Sequence, residues 1–225
     1  MPEEIAGSPL EIREVAERAL VLQRYLLRRA WGVPYSTWSV ALFLTNFGAP
    51  FEALLGLSLL ERIAVSTLAS GAALILTLLA FKRVRNTVEI RRLVIDGKWR
   101  RVLGYRVLAT LWVAVYLILF FLILLFGVQK DPFVLTLYVH AIYAVFWAFL
   151  YYALRLSFEG RMPAEGKAVL SSFGAATFGS IINDLSLGIL GVYALLWGVT
   201  IIVWVVSAFY ARRQPVPGPE VDLDV

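Results

Sequence analysis

The chain has no cysteine, one histidine, two methionines and only 16% charged residues. Without thiols there are no disulfides, iron–sulfur clusters, thiolate zinc sites or cysteine nucleophiles. With one histidine there is no bis-histidine haem; a haem on His140 needs its second axial ligand from a partner. No second histidine or deep carboxylate stands ready for a metal, so neither metal nor cofactor is expected. A soluble chain is about 45–50% apolar and about 25% charged. Here 60% is hydrophobic and mean hydropathy is +0.76. Such a chain cannot cover itself with a water-facing surface. The composition therefore predicts an all-α, polytopic integral membrane helix bundle and excludes a soluble enzyme domain.

A helix needs about 20 mostly apolar residues to cross about 30 Å of hydrocarbon. Val107–Gly127 and Phe133–Leu154 meet this cleanly, and Ile63–Phe81 lies between Glu61-Arg62 and Lys82-Arg83. Tyr35–Leu60 is broken by Asn46, Gly48, Pro50 and Glu52, and reads as a span to Gly48 followed by an interfacial segment. Asn183-Asp184 splits the last long run into Ala168–Ile182 and Leu185–Tyr210. The count is six spans, or five with 168–182 re-entrant.

With both termini cytoplasmic, every Lys and Arg except Arg62 and Lys130 falls on the inside, as the positive-inside rule expects. The organisation is then an N-terminal helix (1–34), a transmembrane domain (35–210) with a basic cytoplasmic loop (82–106), and a disordered Pro-rich tail (211–225). In the first segment, Ser8-Pro9-Leu10-Glu11 is a capping signal. Ile12, Val15, Ala19, Leu22 and Leu26 then form an apolar stripe ending near Gly32 and Pro34. This helix lies on the inner membrane surface or docks a partner, with Trp31, Tyr35 and Trp38 at the interface. In the basic loop, the second span extends helically to Ile95 before Asp96-Gly97 turns the chain. Arg83, Arg85, Arg91, Arg92, Lys98, Arg100 and Arg101 are placed to hold anionic lipid headgroups. The net charge needs no nucleic-acid partner. A protein partner or a second copy within the membrane is expected.

His140 is the only ionisable side chain well inside a predicted span. It shares a helical stripe with Thr136, Tyr143, Trp147 and Tyr151, while the opposite face is aliphatic. Such a stripe should face the bundle, because lipid leaves polar groups unpaired. It is either a ligand, quinone or proton site, or interhelical packing glue. Glu52, Asn183 and Asp184 lie at Gly/Pro-broken or tight turns, which point to transporter sites; otherwise they are solvated loop residues. Small residues recur four apart at Ser171-Ala175-Gly179 and Ser172-Ala176-Ser180, a close-packing pattern. Phe47-Gly48, Phe126-Gly127 and Phe178-Gly179 each precede an acid, as a three-hairpin repeat or as ordinary helix punctuation. Arg outnumbers Lys, and Met, Asn and Gln are scarce, a thermophile lean. No P-loop, nucleophile elbow, paired-aspartate or zinc-protease motif is present. Three function classes follow: a small permease, channel or transport subunit; a non-catalytic anchor or scaffold subunit; or an intramembrane enzyme or quinone-site subunit using His140.

Overall fold

The structure, a computed structural model, describes residues 9–95, 132–158, 161–186 and 188–215, with isolated helical positions between 110 and 121. Among these residues every regular element is an α-helix. They are α1 (Pro9–Leu54), α2 (Leu59–Ile95), α3 (Pro132–Ser157), α4 (Ala164–Ser186) and α5 (Leu190–Arg212). The cap at Ser8, most of the expected span Val107–Gly127, and Lys98, Arg100 and Arg101 lie outside the described residues. α1 packs between α2 and α5, α4 packs on α5, and α3 packs on α4.

Two expected breaks are absent. α1 is one helix of 46 residues that runs through Gly32, Pro34, Gly48 and Pro50. It therefore does not end near Pro34, and its helical backbone does not break at Gly48. Proline interrupts the backbone ladder, but here packing outweighs that cost. A Cβ on Gly32 would lie 2.7 Å from Arg212 Cγ and 3.1 Å from the Ala208 carbonyl, so glycine serves here for close approach to α5. Beside it, the Ser36 and Thr37 hydroxyls donate to the Val33 carbonyl at 2.9 and 3.1 Å. Trp31 and Tyr35 are not interface markers either. They are 4% and 0% exposed, held by ring contacts to Phe81 (5.1 Å) and Trp204 (6.3 Å).

The second missing break is at Asn183-Asp184. α4 continues through both to Ser186, and the turn comes at Gly188, whose φ of +59° suits glycine. At 23 residues, α4 is about 34 Å long. α2 does reach Ile95, as the sequence predicts.

Among the described residues, two helices are long and apolar enough to cross a membrane by length and composition: Ala64–Lys82 within α2, and α5. Only 6% and 28% of their most apolar windows is buried, whereas the core helix of a soluble protein is mostly covered. On α5, Leu195, Val199, Ile202, Val206 and Phe209 point outward, while Trp197, Thr200, Trp204, Ala208 and Ala211 point in. A helix that faces water carries polar residues on its outer side instead.

The core is a column of rings. Trp31 and Tyr35 on α1 lead through Trp204 on α5 to Phe173 on α4 (5.6 Å from Trp204), and on to Trp197 (5.6 Å) and Tyr143 (5.9 Å). Close helix approach is concentrated on α4. A Cβ on Gly174 would meet Trp147 Nε1 at 2.7 Å, and one on Gly179 would meet Leu196 at 2.9 Å. Ala176 and Ser180 of the small-residue stripes face this core; Ser171 and Ala175 face outward. Gly179 lies inside α4, so Phe178-Gly179 does not end a helix.

α2 begins with a reciprocal cap that its sequence, Ser58-Leu59-Leu60-Glu61, spells out. The Ser58 backbone N–H and hydroxyl both donate to Glu61 Oε2 at 2.7 Å, and the Glu61 N–H donates weakly back to Ser58 Oγ at 3.4 Å. These bonds from Ser58 hold the Glu61 carboxyl below its usual range. A carboxyl lowered on folding stabilises above its unfolded pKa, and that stabilisation is lost as pH falls through the folded value. Acidification below about pH 4 should therefore fray the first turn of α2. Faster amide exchange at residues 59–62 is the expected readout, and Glu61→Gln should show less of this pH dependence.

Candidate functional site

Polar groups collect at the two ends of the ring column. At one end His140, eight residues into α3, is 6% exposed. Its Nε2 lies 3.4 Å from Oδ2 of Asp184, in the last turn of α4. That separation is longer than a well-formed hydrogen bond of about 2.7–3.2 Å, and within ion-pair range if the ring is protonated. The Asp184 carboxylate keeps 27% of its side-chain surface, so the pair couples a buried imidazole to an accessible acid. Asn183 is buried and shapes the turn: its Oδ1 accepts the Ile189 N–H at 3.2 Å, and its Nδ2 lies 3.4 Å from Asp184 Oδ1.

Next to this pair, Asn46 on α1 joins three helices. Its Oδ1 accepts the hydroxyls of Tyr143 on α3 (3.2 Å) and Tyr193 on α5 (2.6 Å), and its Nδ2 donates to the Leu42 carbonyl at 2.8 Å. An amide inside an apolar helix is costly unless paired, and here both side-chain polar atoms of Asn46 have partners. Deeper in, hydroxyls are committed to the scaffold. Trp197 Nε1 donates to Ser180 Oγ (2.9 Å), and Thr200 Oγ1 donates to the Leu196 and Ser172 carbonyls (2.9 and 3.0 Å).

The expected stripe on α3 divides. His140 and Tyr143 join the polar cluster. Trp147 is half-buried on α4, where its Nε1 donates to the Leu170 carbonyl at 3.0 Å. Tyr151 is half-exposed and accepts Arg155 Nη1 at 3.1 Å. The stripe is thus not one site: its C-terminal half is packing and surface. The Thr136 side chain lies outside the description, as do those of Glu52, Arg83, Arg85, Arg91 and Arg92, though their backbones are helical. Asp184 is a helical residue beside His140, not a solvated loop acid. Asn46 and Tyr193 are site residues that the stripe on α3 does not reach; an asparagine within an apolar run was the available signal.

The opposite end of the column holds a second charged cluster. Glu165, in the first turn of α4, is 5% exposed. Arg28 on α1 grips it with both arms, Nε to Oε1 at 2.7 Å and Nη2 to Oε2 at 2.9 Å. The same guanidinium donates through Nη1 to Gln214, just beyond α5, at 3.1 Å. Arg212 adds a bond to Ser36 Oγ at 2.6 Å.

No family model, curated protein or solved structure matches this chain.

Among the described residues no group of three or more His, Asp and Glu is placed to hold a metal. The His140–Asp184 pair can take up and release a proton, or hold a ligand with both a cationic and an acceptor group. The Arg28–Glu165 fork is a structural clamp, since both carboxylate oxygens are taken by Arg28 Nε and Nη2 and its Nη1 is taken by Gln214.

Proposed function

We propose that this is a multi-pass integral membrane protein of the transport class, with both termini cytoplasmic and the His140–Asp184 pair as its working centre. The observation that carries this reading is a buried imidazole 3.4 Å from a partly exposed carboxylate, inside helices whose outer faces are largely apolar. An ionisable pair in such a setting marks a proton relay or substrate path more often than it marks packing. Spacing along α4 supports a full crossing over a re-entrant one. Glu165 and Asp184 are 19 positions apart, about 28 Å along a helix, close to the thickness of a hydrocarbon core. Six spans accommodate these helices with the cytoplasmic loop 82–106 between the second and third.

A second reading, a non-catalytic anchor or scaffold subunit, is favoured by the ring column. It fills the core between the two polar ends, so transport through this chain requires that column to rearrange.

The deciding experiment reconstitutes the full chain in proteoliposomes loaded with a pH-sensitive dye and imposes an ion or pH gradient. Transport predicts proton-coupled flux that falls to the empty-vesicle background in both His140→Phe and Asp184→Asn. Stability should drop by only about 0.6–2 kcal/mol, the usual worth of an interhelical polar contact in membranes. Wild-type vesicles indistinguishable from empty ones, with the chain folded, favour the scaffold. Reporter fusions at both ends should give cytoplasmic signals; an external signal at either would sink the six-span topology.

A further inference from the structure

Three arginines at the Arg28–Glu165 end share one local arrangement. On α1, Arg29 lies over the ring of Tyr25, 5.7 Å from its centroid, and donates to its hydroxyl at 3.0 Å. On α3, Arg155 lies over Tyr151 at 6.0 Å and donates to its hydroxyl at 3.1 Å. Just past α5, Arg213 lies over Phe209 at 4.0 Å. In each case the ring precedes the arginine by four residues, the spacing that stacks side chains on one helical face.

These three sit at one level of the bundle, which neighbouring contacts establish. Arg29 follows Arg28, and Arg213 precedes Gln214, which Arg28 binds together with Glu165. Arg155 follows Leu154, whose Cδ2 would lie 3.3 Å from a Cβ on Gly166, the neighbour of Glu165. All three guanidinium residues are exposed, and among the described residues no carboxylate pairs with any of them. Among the described residues, the acid at this end, Glu165, is buried and occupied by Arg28.

We infer that Arg29, Arg155 and Arg213, each braced on its ring, form a set of anchors for the phosphate groups of anionic phospholipids in the leaflet at this end of the bundle. The inference rests on the membrane reading above. Chemistry selects the ligand. A guanidinium fork matches a phosphate bidentately, and contact with a ring fixes its plane; Arg29 and Arg155 each spend one Nη1 N–H on the tyrosine hydroxyl and keep their other donors for a ligand. The ring itself suits the boundary between acyl chains and headgroups. Lysine offers neither the fork nor the stacking. The anchors are separate from the basic run in loop 82–106. They lie on α1, α3 and at the end of α5, so they ring the bundle instead of extending one helix.

The test uses the full chain in phosphatidylcholine vesicles doped with spin-labelled phosphatidylglycerol or spin-labelled phosphatidylcholine, and measures their relative association with the protein. The wild type should prefer phosphatidylglycerol. Arg29→Gln, Arg155→Gln and Arg213→Gln should each lower that preference at the affected site by about fivefold, the factor that about 1 kcal/mol per basic residue represents. The triple lysine variant, which keeps the charge, should fall between the wild type and the triple glutamine variant. An unchanged preference in the triple glutamine variant overturns the inference. A triple lysine variant equal to wild type overturns the role of the stacked fork. Release of the wild-type chain from vesicles by alkaline extraction is a different failure, since it removes the membrane reading itself.

Discussion

Replacing Glu165 with leucine should cost about 3 kcal/mol of bundle stability, at the low edge of the range for breaking a buried ion pair. The carboxylate is 3% exposed and receives two short bonds from Arg28. Once it is gone, Arg28 is left beside an apolar side chain with only Gln214 as a partner. The value sits at the low edge because Arg28 retains 28% of its side-chain surface, so water recovers part of the loss. Arg28→Leu should cost at least as much, since it strands the more deeply buried group. The double leucine variant should be more stable than either single variant, because neither charge is then left alone. Denaturation in mixed micelles, followed by tryptophan fluorescence, measures all three. Additive losses in the double variant would show that the fork contributes packing and not charge pairing.

Trp197→Ala is expected to have a comparable or larger effect, about 3–5 kcal/mol. Trp197 has no exposed surface and touches Tyr143 at 4.6 Å and Phe173 at 5.6 Å between ring centroids. Its removal opens a cavity at the junction of α3, α4 and α5 and leaves the buried Ser180 hydroxyl without its donor. Trp197→Phe should recover most of the volume and none of the hydrogen bond, and so separate the two contributions. Its cost should be about 1–2 kcal/mol, the net worth of a buried hydrogen bond and its unsatisfied remainder. Equal losses in the two variants would mean that the cavity contributes little.

Much of the helical content and the importance of His140 could be read directly from residue types. A lone histidine in an apolar run is conspicuous, and its stripe mates follow from helical geometry. Its partner did not follow, because Asp184 lies 44 positions away and meets His140 only once α3 and α4 pack antiparallel. Glu165 escaped notice for a local reason. Pro163 and Gly166 resemble loop punctuation, which pushed the expected start of α4 to Ala168, whereas the helix begins at Ala164. Arg28 looked like one more charge on the polar face of an amphipathic helix. The error at Pro34 has the same origin as the error at Asn183. Both residues favour a break in an isolated helix, and in both places neighbouring helices supply compensating contacts that a single sequence does not display. The cap at Ser58 was legible and is equivalent to the signal at Ser8, but it sits where an interfacial segment was expected.

The unbroken course of α1 has a mechanical consequence. Beyond the level where Trp31 meets Phe81, α1 continues for 22 residues toward Pro9 and α2 for 14 toward Ile95. These lengths correspond to about 33 and 21 Å of helix. The fork ties α1 to α4 at Arg28, so the stretch of α1 from there to Pro9 is an arm that pivots at the fork. A tilt of 10° about that point moves the tip at Pro9 by about 5 Å. A rod of this length turns a small force applied near Pro9 into torque on α1, and α1 carries Asn46 toward its other end.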